Sequence, residues 1–374
     1  MKHKVKQLSV FFVPMIIILM TIYMMNYLMD PSGQNSSKQI YMLATQQQIQ
    51  HTLISENAFD QRQWVRGRLL NGKCPETLIL GSSTIGLFSE SMFKSPILNL
   101  WMGSPSIEDY EAISQILNEA KCTPKFIIMG LDPWFFNKAS ASDRWKSIYE
   151  YYLKYGLKNS TLKMKTWKFI QAWSRFKDNL SFITTRESIR TFLSHRKLTR
   201  NAPQLVQATM EDICTGKFST PLLTENSYLR GFDGHYKNCD QYLPNLEQVD
   251  DISNTYLRRN MHGLAEWEQV DRNTMKRLKT LFERFRQKSI QMIVVIPTYH
   301  PRTHEILMNN ATLNKNLKEL DTELLNICDR LGIKFYHFRD SKTIPCTKIE
   351  FIDSHHTNET CSQKIVELIG KDIK

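Results

Sequence analysis

The sequence predicts an α/β domain built on a five-stranded parallel sheet, and three observations carry that reading. Short apolar or β-branched runs recur along the chain, namely ETLILG (76–81), SPILNLWMG (95–103), KFIIMGLDP (125–133), SIQMIVVIP (289–297) and GIKFYHFRD (332–340). Each closes on Gly, Pro or Asp. Between them lie 106–120, 267–288 and 310–331, where apolar residues return at helical spacing. Continuous apolar strands alternating with amphipathic helices describe a parallel sheet covered on both faces. The 374 residues, 41% of them hydrophobic and 11% aromatic, supply core for one large domain or two ordinary ones.

Taken in order, residues 1–7 (MKHKVKQ) are basic and precede a run, 8–29, without formal charge. That run has the length of a transmembrane helix, since about 20 apolar residues span a bilayer core. It ends in NYLMDPSG with no small-x-small cleavage site, so an uncleaved anchor is expected. Lys2, Lys4 and Lys6 before it and Asp30 after it orient the short N-terminus to the cytoplasm and export the rest. The expected location is the cell (inner) membrane, single-pass, with the main domain on the periplasmic or extracytoplasmic side. A buried core helix is the competing reading. Residues 30–70 read as a polar Ser/Gln-rich tether and a leading helix, and 71–374 as the main domain.

Within that domain, 137–261 has no βα unit and reads as a helical insertion. Its first part, YEYYLKYGLKNSTLKMKTWKFIQAWSRF (149–176), interleaves aromatics with lysines, which suits an anionic polymer or membrane surface. The formal net charge of +12 favours anionic partners generally. Export excludes nucleic acid. Seven cysteines fit an oxidising compartment. Cys74 and Cys122 each precede a strand, so neighbouring strands would bring them together. Cys214 with Cys239 and Cys346 with Cys361 are the remaining pairs, leaving Cys328.

In open α/β sheets ligands bind beyond the C-terminal strand ends. The segments there are GSSTIG (81–86), WMGSPS (101–106), GLDPWFFN (130–137), PTYHP (297–301) and, near the C-terminus, DSHHTN (353–358). Serines after the first strand, with Asp and His after the last, supply a nucleophile, an imidazole base and a carboxylate to orient it. Ser82 and Ser83 could equally cap a helix. His355 and His356 could ligate a metal, although neighbours on an extended loop point different ways, and no metal is expected. His300 and His304 have helical ligand spacing but no accompanying carboxylate set. Trp101, Trp134 and His300 are candidate pocket walls, the tryptophans equally candidate core.

Together GSS, Asn99 and Gly103, GLDP and the closing D-x-x-H resemble the SGNH (GDSL-type) hydrolase superfamily. The anchor, the DP that follows it, LILGSS and GLDPWFF resemble its membrane-anchored, DltD-like branch, associated with acylation of envelope polymers. The resemblance covers about 75–135 and 289–370. It implies a three-layer αβα sandwich, Ser83 as nucleophile, His356 as base and Asp353 as its partner, with the N–H groups of Ser83 and Gly103 as oxyanion donors. Ser82 stands where the family has Asp. Asp132 stands where the family has an oxyanion-hole Asn, and an ionised carboxylate cannot donate. The implied function is a membrane-anchored acyltransferase or esterase modifying an envelope glycopolymer through a seryl ester, without cofactor, beside a multi-span membrane acyltransferase. The alternative is a silent SGNH-like scaffold that binds the polymer or that partner.

Overall fold

Strands β1 (His51–Ser55), β2 (Thr77–Leu80), β3 (Ile97–Asn99), β4 (Phe126–Gly130), β5 (Gln204–Gln207), β6 (Tyr228–Arg230), β7 (Tyr236–Lys237), β8 (Gln291–Ile296) and β9 (Lys334–His337) make two sheets in the computed structural model of the chain. The structure describes residues 2–29, 37–55, 59–140, 142–156, 179–193, 203–220 and 227–373, with positions 169, 172, 173, 176, 177 and 223 besides.

All five expected apolar runs enter one parallel sheet, in the order β3-β2-β4-β8-β9. Alternate residues of each strand serve opposite faces. Leu78, Leu80, Ile127, Met129, Val294 and Ile296 pack with helices Ile107–Glu119, Arg272–Gln287 and Ala311–Leu331. Ile79, Ile128, Ile293 and Val295 pack with helix Glu359–Ile369 through Ile365, Val366 and Ile369. Burial on both faces is why these strands are continuously apolar. The chain steps from β2 outward to β3, then back past β2 to β4. That reversal opens a crevice beyond the ends of β2, β3 and β4, where such sheets bind ligands.

The second sheet is antiparallel, β5-β1-β6-β7, and corrects two expectations. The insertion is not simply helical, because it supplies β5, β6 and β7. The leading segment is not simply tether and helix, because it supplies β1. HTLIS and YLR are too short and polar to read as strands alone; their pairing across more than 150 residues makes them so. The tether also contains helix Ser37–Gln46, which buries Ile40 and Ala44. Gly67 of helix Gln61–Asn71 permits that packing, since a Cβ there would sit 2.7 Å from the Ala44 Cβ and 2.8 Å from the Tyr41 carbonyl oxygen. A Ser/Gln-rich segment thus becomes helical through tertiary contact rather than propensity.

The N-terminal run forms helix Lys2–Met29. Many of its apolar side chains from Phe12 to Leu28 are exposed, while Asn26 is buried and donates to the Asn179 carbonyl and Thr185 Oγ1 at 2.8 and 2.9 Å. Among the described residues no helix is long and apolar enough to cross a membrane. The side chains of 8–11 and 29, part of the expected span, lie outside those described. So does most of the Lys/Tyr/Trp-rich stretch 157–178. Disulfides join Cys74 to Cys122, Cys214 to Cys239 and Cys346 to Cys361, and Cys328 is free and buried. The first joins the entries of the adjacent strands β2 and β4.

Candidate active site

Beyond β2 the chain turns at Gly81 into a single 3-10 turn, Ser83–Ile85. Ser82 caps it, its hydroxyl accepting from the Thr84 N–H at 3.1 Å. Ile85 anchors it from below, over Gly81 and Gly130, where an added Cβ would stand only 2.4 and 2.8 Å from the Ile85 Cδ1. The missing side chains at these two strand ends therefore seat the turn. Asn99 braces its exit, its amide donating to the carbonyls of Ile85 and Phe88 at 2.9 Å each. Ser83 is the first residue of the turn, so its N–H has no acceptor within it.

The loop after Phe351 presents the partners. An isolated bridge pairs Phe351 with Thr357, and the Cys346–Cys361 disulfide closes the segment from outside. Asp353 Oδ1 accepts from the backbone N–H groups of His355 and His356 at 2.8 Å each. Its Oδ2 lies 2.6 Å from His356 Nδ1, and His356 Nε2 lies 2.7 Å from Ser83 Oγ. Residues 273 positions apart are thus in hydrogen-bond contact. Burial raises the Asp353 carboxyl, but His356, His355 and the backbone N–H groups outweigh it and hold it far below the usual carboxylate range. Burial lowers His356, but the Asp353 charge and hydrogen bond, with Asp132 behind them, raise it above its ordinary value. An ionised carboxylate bonded to Nδ1 leaves Nε2 as the acceptor facing the serine. The arrangement can remove the proton from Ser83.

Residues 38–373 match the family described as protein of unknown function (DUF1574). The chain belongs to that family. The matched span runs from helix Ser37–Gln46 past the last helix, so it takes in both sheets, Ser83, Asp353 and His356. No curated protein matches the chain.

Asp132 faces the interior rather than the cleft. Thr84 donates to its Oδ1 at 3.2 Å. Burial pushes its pKa up to about 6, against the lowering effects of hydrogen bonds from Ser82 and Thr84 and the charge of His356. Its position makes it a positioning group for the serine turn. The Gly103 N–H, expected to point at an oxyanion, instead donates to Gln61 Oε1 at 2.5 Å. Arg62, held by Asp109 at 2.9 Å through two nitrogens, grips the Gly103 carbonyl at 3.1 Å. Helix Gln61–Asn71 therefore engages both the N–H and the carbonyl of Gly103, and no sequence motif marks it.

The candidate pocket walls are mostly core. Trp101 is buried against Tyr236 and Tyr228. Its indole N–H is bonded to the Gly234 carbonyl at 3.1 Å. His300 is buried as the cap of helix Pro301–Asn309, its Nδ1 accepting from the Arg302 N–H. His304 faces Asp340 at 3.9 Å instead of joining it. Trp134 lies under the cleft, stacked on His262 at 4.1 Å and edge-on to His355.

His262 is a residue that sequence reasoning missed. It sits at φ 56°, followed by Gly263 at φ 64° and two positions after Asn260 at φ 44°, left-handed conformations that cost a non-glycine residue energy and gather at functional sites. Burial lowers its pKa to about 4, with His356 and Arg144 adding to the effect, so it is a neutral imidazole at the cleft. His355 is likewise held neutral, burial lowering it to about 3 with help from His356.

Asp353, His355 and His356 are the one trio of potential metal ligands among the described residues. The Asp353 Oδ2 and His356 Nδ1 stand at hydrogen-bond distance, 2.6 Å, whereas two ligands about 2.1 Å from one tetrahedral ion lie roughly 3.4 Å apart. The donor set fits a proton between them better than an ion.

Proposed function

We propose that the protein is a membrane-anchored, SGNH-type serine acyltransferase or esterase that modifies a cell-envelope glycopolymer. The observation that carries this reading is the unbroken line of contacts from Asp353 through His356 to Ser83 Oγ, at 2.6 and 2.7 Å. Ser83 Oγ attacks the acyl carbonyl carbon as its proton passes to His356 Nε2, and Asp353 stabilises the imidazolium. The tetrahedral oxygen collapses, the C–O bond to the leaving alcohol breaks, and His356 returns the proton to that oxygen. A sugar hydroxyl or water then repeats the sequence in reverse on the seryl ester. The Ser83 N–H supports the oxyanion, such donors being worth roughly 3 kcal/mol each.

The uncharged run 8–29 and the exposed apolar side chains of its helix support the anchor. The three disulfides support an oxidising compartment. An acyl-exporting, multi-span membrane protein is the partner this reading calls for. The alternative, a non-catalytic scaffold, draws on one observation, the Gly103 N–H committed to Gln61.

A serine-directed fluorophosphonate tests the choice. Labelling that disappears in Ser83→Ala and persists in Ser82→Ala supports the enzyme. A folded wild type that takes no label, with envelope acylation unchanged by Ser83→Ala, refutes it.

A further inference from the structure

One wall of the cleft holds hydrogen-bond donors without acceptors. Arg144 Nη1 lies 3.0 Å from where a Cβ on Gly103 would stand. Its guanidinium is exposed and makes no hydrogen bond or ion pair among the described residues. Its charge is felt by His262, which also feels His356 and Asp353, so Arg144 belongs to the same cleft as the serine. Behind it stands Tyr228, which faces both Arg144 and Arg230. The Nε and Nη1 of Arg230 are buried without a hydrogen-bond partner among the described residues, while the Tyr228 hydroxyl stands beside the side chains of Ser55 and Gln61. Ser55 and Tyr228 are register partners in β1 and β6, and Arg230 follows two residues on, so all three share one side of the antiparallel sheet.

Arg230 is fully buried with its guanidinium 4.3 Å from the rings of both Trp64 and Trp101. Among the described residues its guanidinium donates one hydrogen bond, to the Trp101 carbonyl at 3.3 Å. The nearby carboxylates are committed elsewhere, Asp109 to Arg62 and Asp233 to His235 and the Glu90 N–H. A buried guanidinium held by aromatic faces and one carbonyl, with no carboxylate in hydrogen-bond contact, is incompletely compensated, and burying a charge in that state is costly. Two arginines converging on one wall, neither of them hydrogen-bonded to an acid among the described residues, suit a ligand made of acceptors.

We infer that this wall is an anion subsite, with Arg144 as the residue in contact, and that the molecule acylated or deacylated carries a carboxylate or phosphate close to the reacting oxygen. The inference rests on Ser83 being the nucleophile. Arg144 acts there as a specificity residue: a planar guanidinium pairs with a carboxylate or phosphate through two parallel N–H bonds, while Arg230 and Tyr228 add field from behind. Arg144, Tyr228 and Arg230 belong to the insertion and Ser55 to the leading segment, so the subsite is built outside the parallel sheet.

The test measures the rate of fluorophosphonate labelling of the full-length protein with trigalacturonate, glycerol 3-phosphate or the neutral trigalacturonate methyl ester present. Both anions should slow labelling of the wild type and the methyl ester should not, and the anion that protects more strongly identifies the group recognised. Arg144→Gln should weaken that protection roughly 10- to 100-fold, Arg144→Lys should restore part of it, and added salt should weaken it in the wild type. Equal protection by the methyl ester, or no protection by either anion, overturns the subsite. So does an Arg144→Gln protein whose labelling without ligand slows as much as its protection weakens, since Arg144 would then act on the oxyanion. A wild type that takes no label at all is a different failure, that of the serine nucleophile.

Discussion

Replacing Asp353 by Asn separates the chemistry of this carboxylate from its structural duty. Its Oδ1 accepts two backbone N–H bonds at 2.8 Å, which an Asn carbonyl oxygen can keep. Its Oδ2 faces His356 Nδ1 at 2.6 Å, and there Asn presents an NH2 donor. His356 must then leave Nδ1 unprotonated and carry its proton on Nε2, toward Ser83. An Nε2–H cannot accept the serine proton. In a triad of this kind the wrong tautomer lowers the rate about 10⁴-fold. The lost charge-assisted bond costs about 1.5–3 kcal/mol, roughly 3–12 °C in melting temperature for a domain of 150 residues or more, so the protein stays folded. The assay is the fluorophosphonate labelling rate against pH, with circular dichroism on the same samples. In the wild type the rate should rise with pH as His356 loses its proton, with a midpoint above the ordinary histidine value because Asp353 raises it. A folded Asp353→Asn protein that labels within ten-fold of wild type, ~1.4 kcal/mol in the barrier, refutes the base assignment.

Other perturbations test the surroundings. Asp132 has its pKa raised by burial from 3.8 to about 6, so its contribution to stability is fully present below the unfolded value and is lost as pH rises through the folded one. At about 1.4 kcal/mol per pK unit the loss is about 3 kcal/mol. Asp132→Asn should therefore gain on wild type in melting temperature between pH 4 and pH 7; a constant difference would contradict this. Gln61→Ala frees the Gly103 N–H and should accelerate fluorophosphonate labelling, by up to about 10²-fold for one oxyanion donor; an unchanged rate means that Gly103 lies outside the oxyanion hole. Replacing Cys74 and Cys122 by Ser opens a loop of 48 residues and should cost about 4 kcal/mol in a denaturant titration, against about 3 for the 15-residue loop of Cys346 and Cys361. The second pair should also slow labelling, because it closes the loop that carries His356. Equal labelling in both variants would speak against that.

What the sequence determined by itself was local and periodic. The five apolar runs specify a doubly covered parallel sheet because each is buried on both faces, and their order along the chain puts Ser83, Gly103 and Asp132 at neighbouring strand ends. The D-x-x-H spacing was legible because a carboxylate, two backbone N–H groups and one imidazole close a single tight loop. Composition could not reveal β1, β5 and β6, whose residues become strands through partners more than a hundred positions away, or the two-residue β7, which pairs only with β6. Nor could it reveal helix Ser37–Gln46, whose sequence has little helical signal until Gly67 lets it pack. The direction in which each side chain points belonged wholly to the tertiary structure. It turned Asp132 inward to the serine turn, committed the Gly103 N–H to Gln61, buried Trp101 and His300 in the core, and set Arg144 beside Gly103 and His262 against Trp134. Each of these contacts joins segments far apart along the chain, so it follows from tertiary packing and from nothing nearer in sequence.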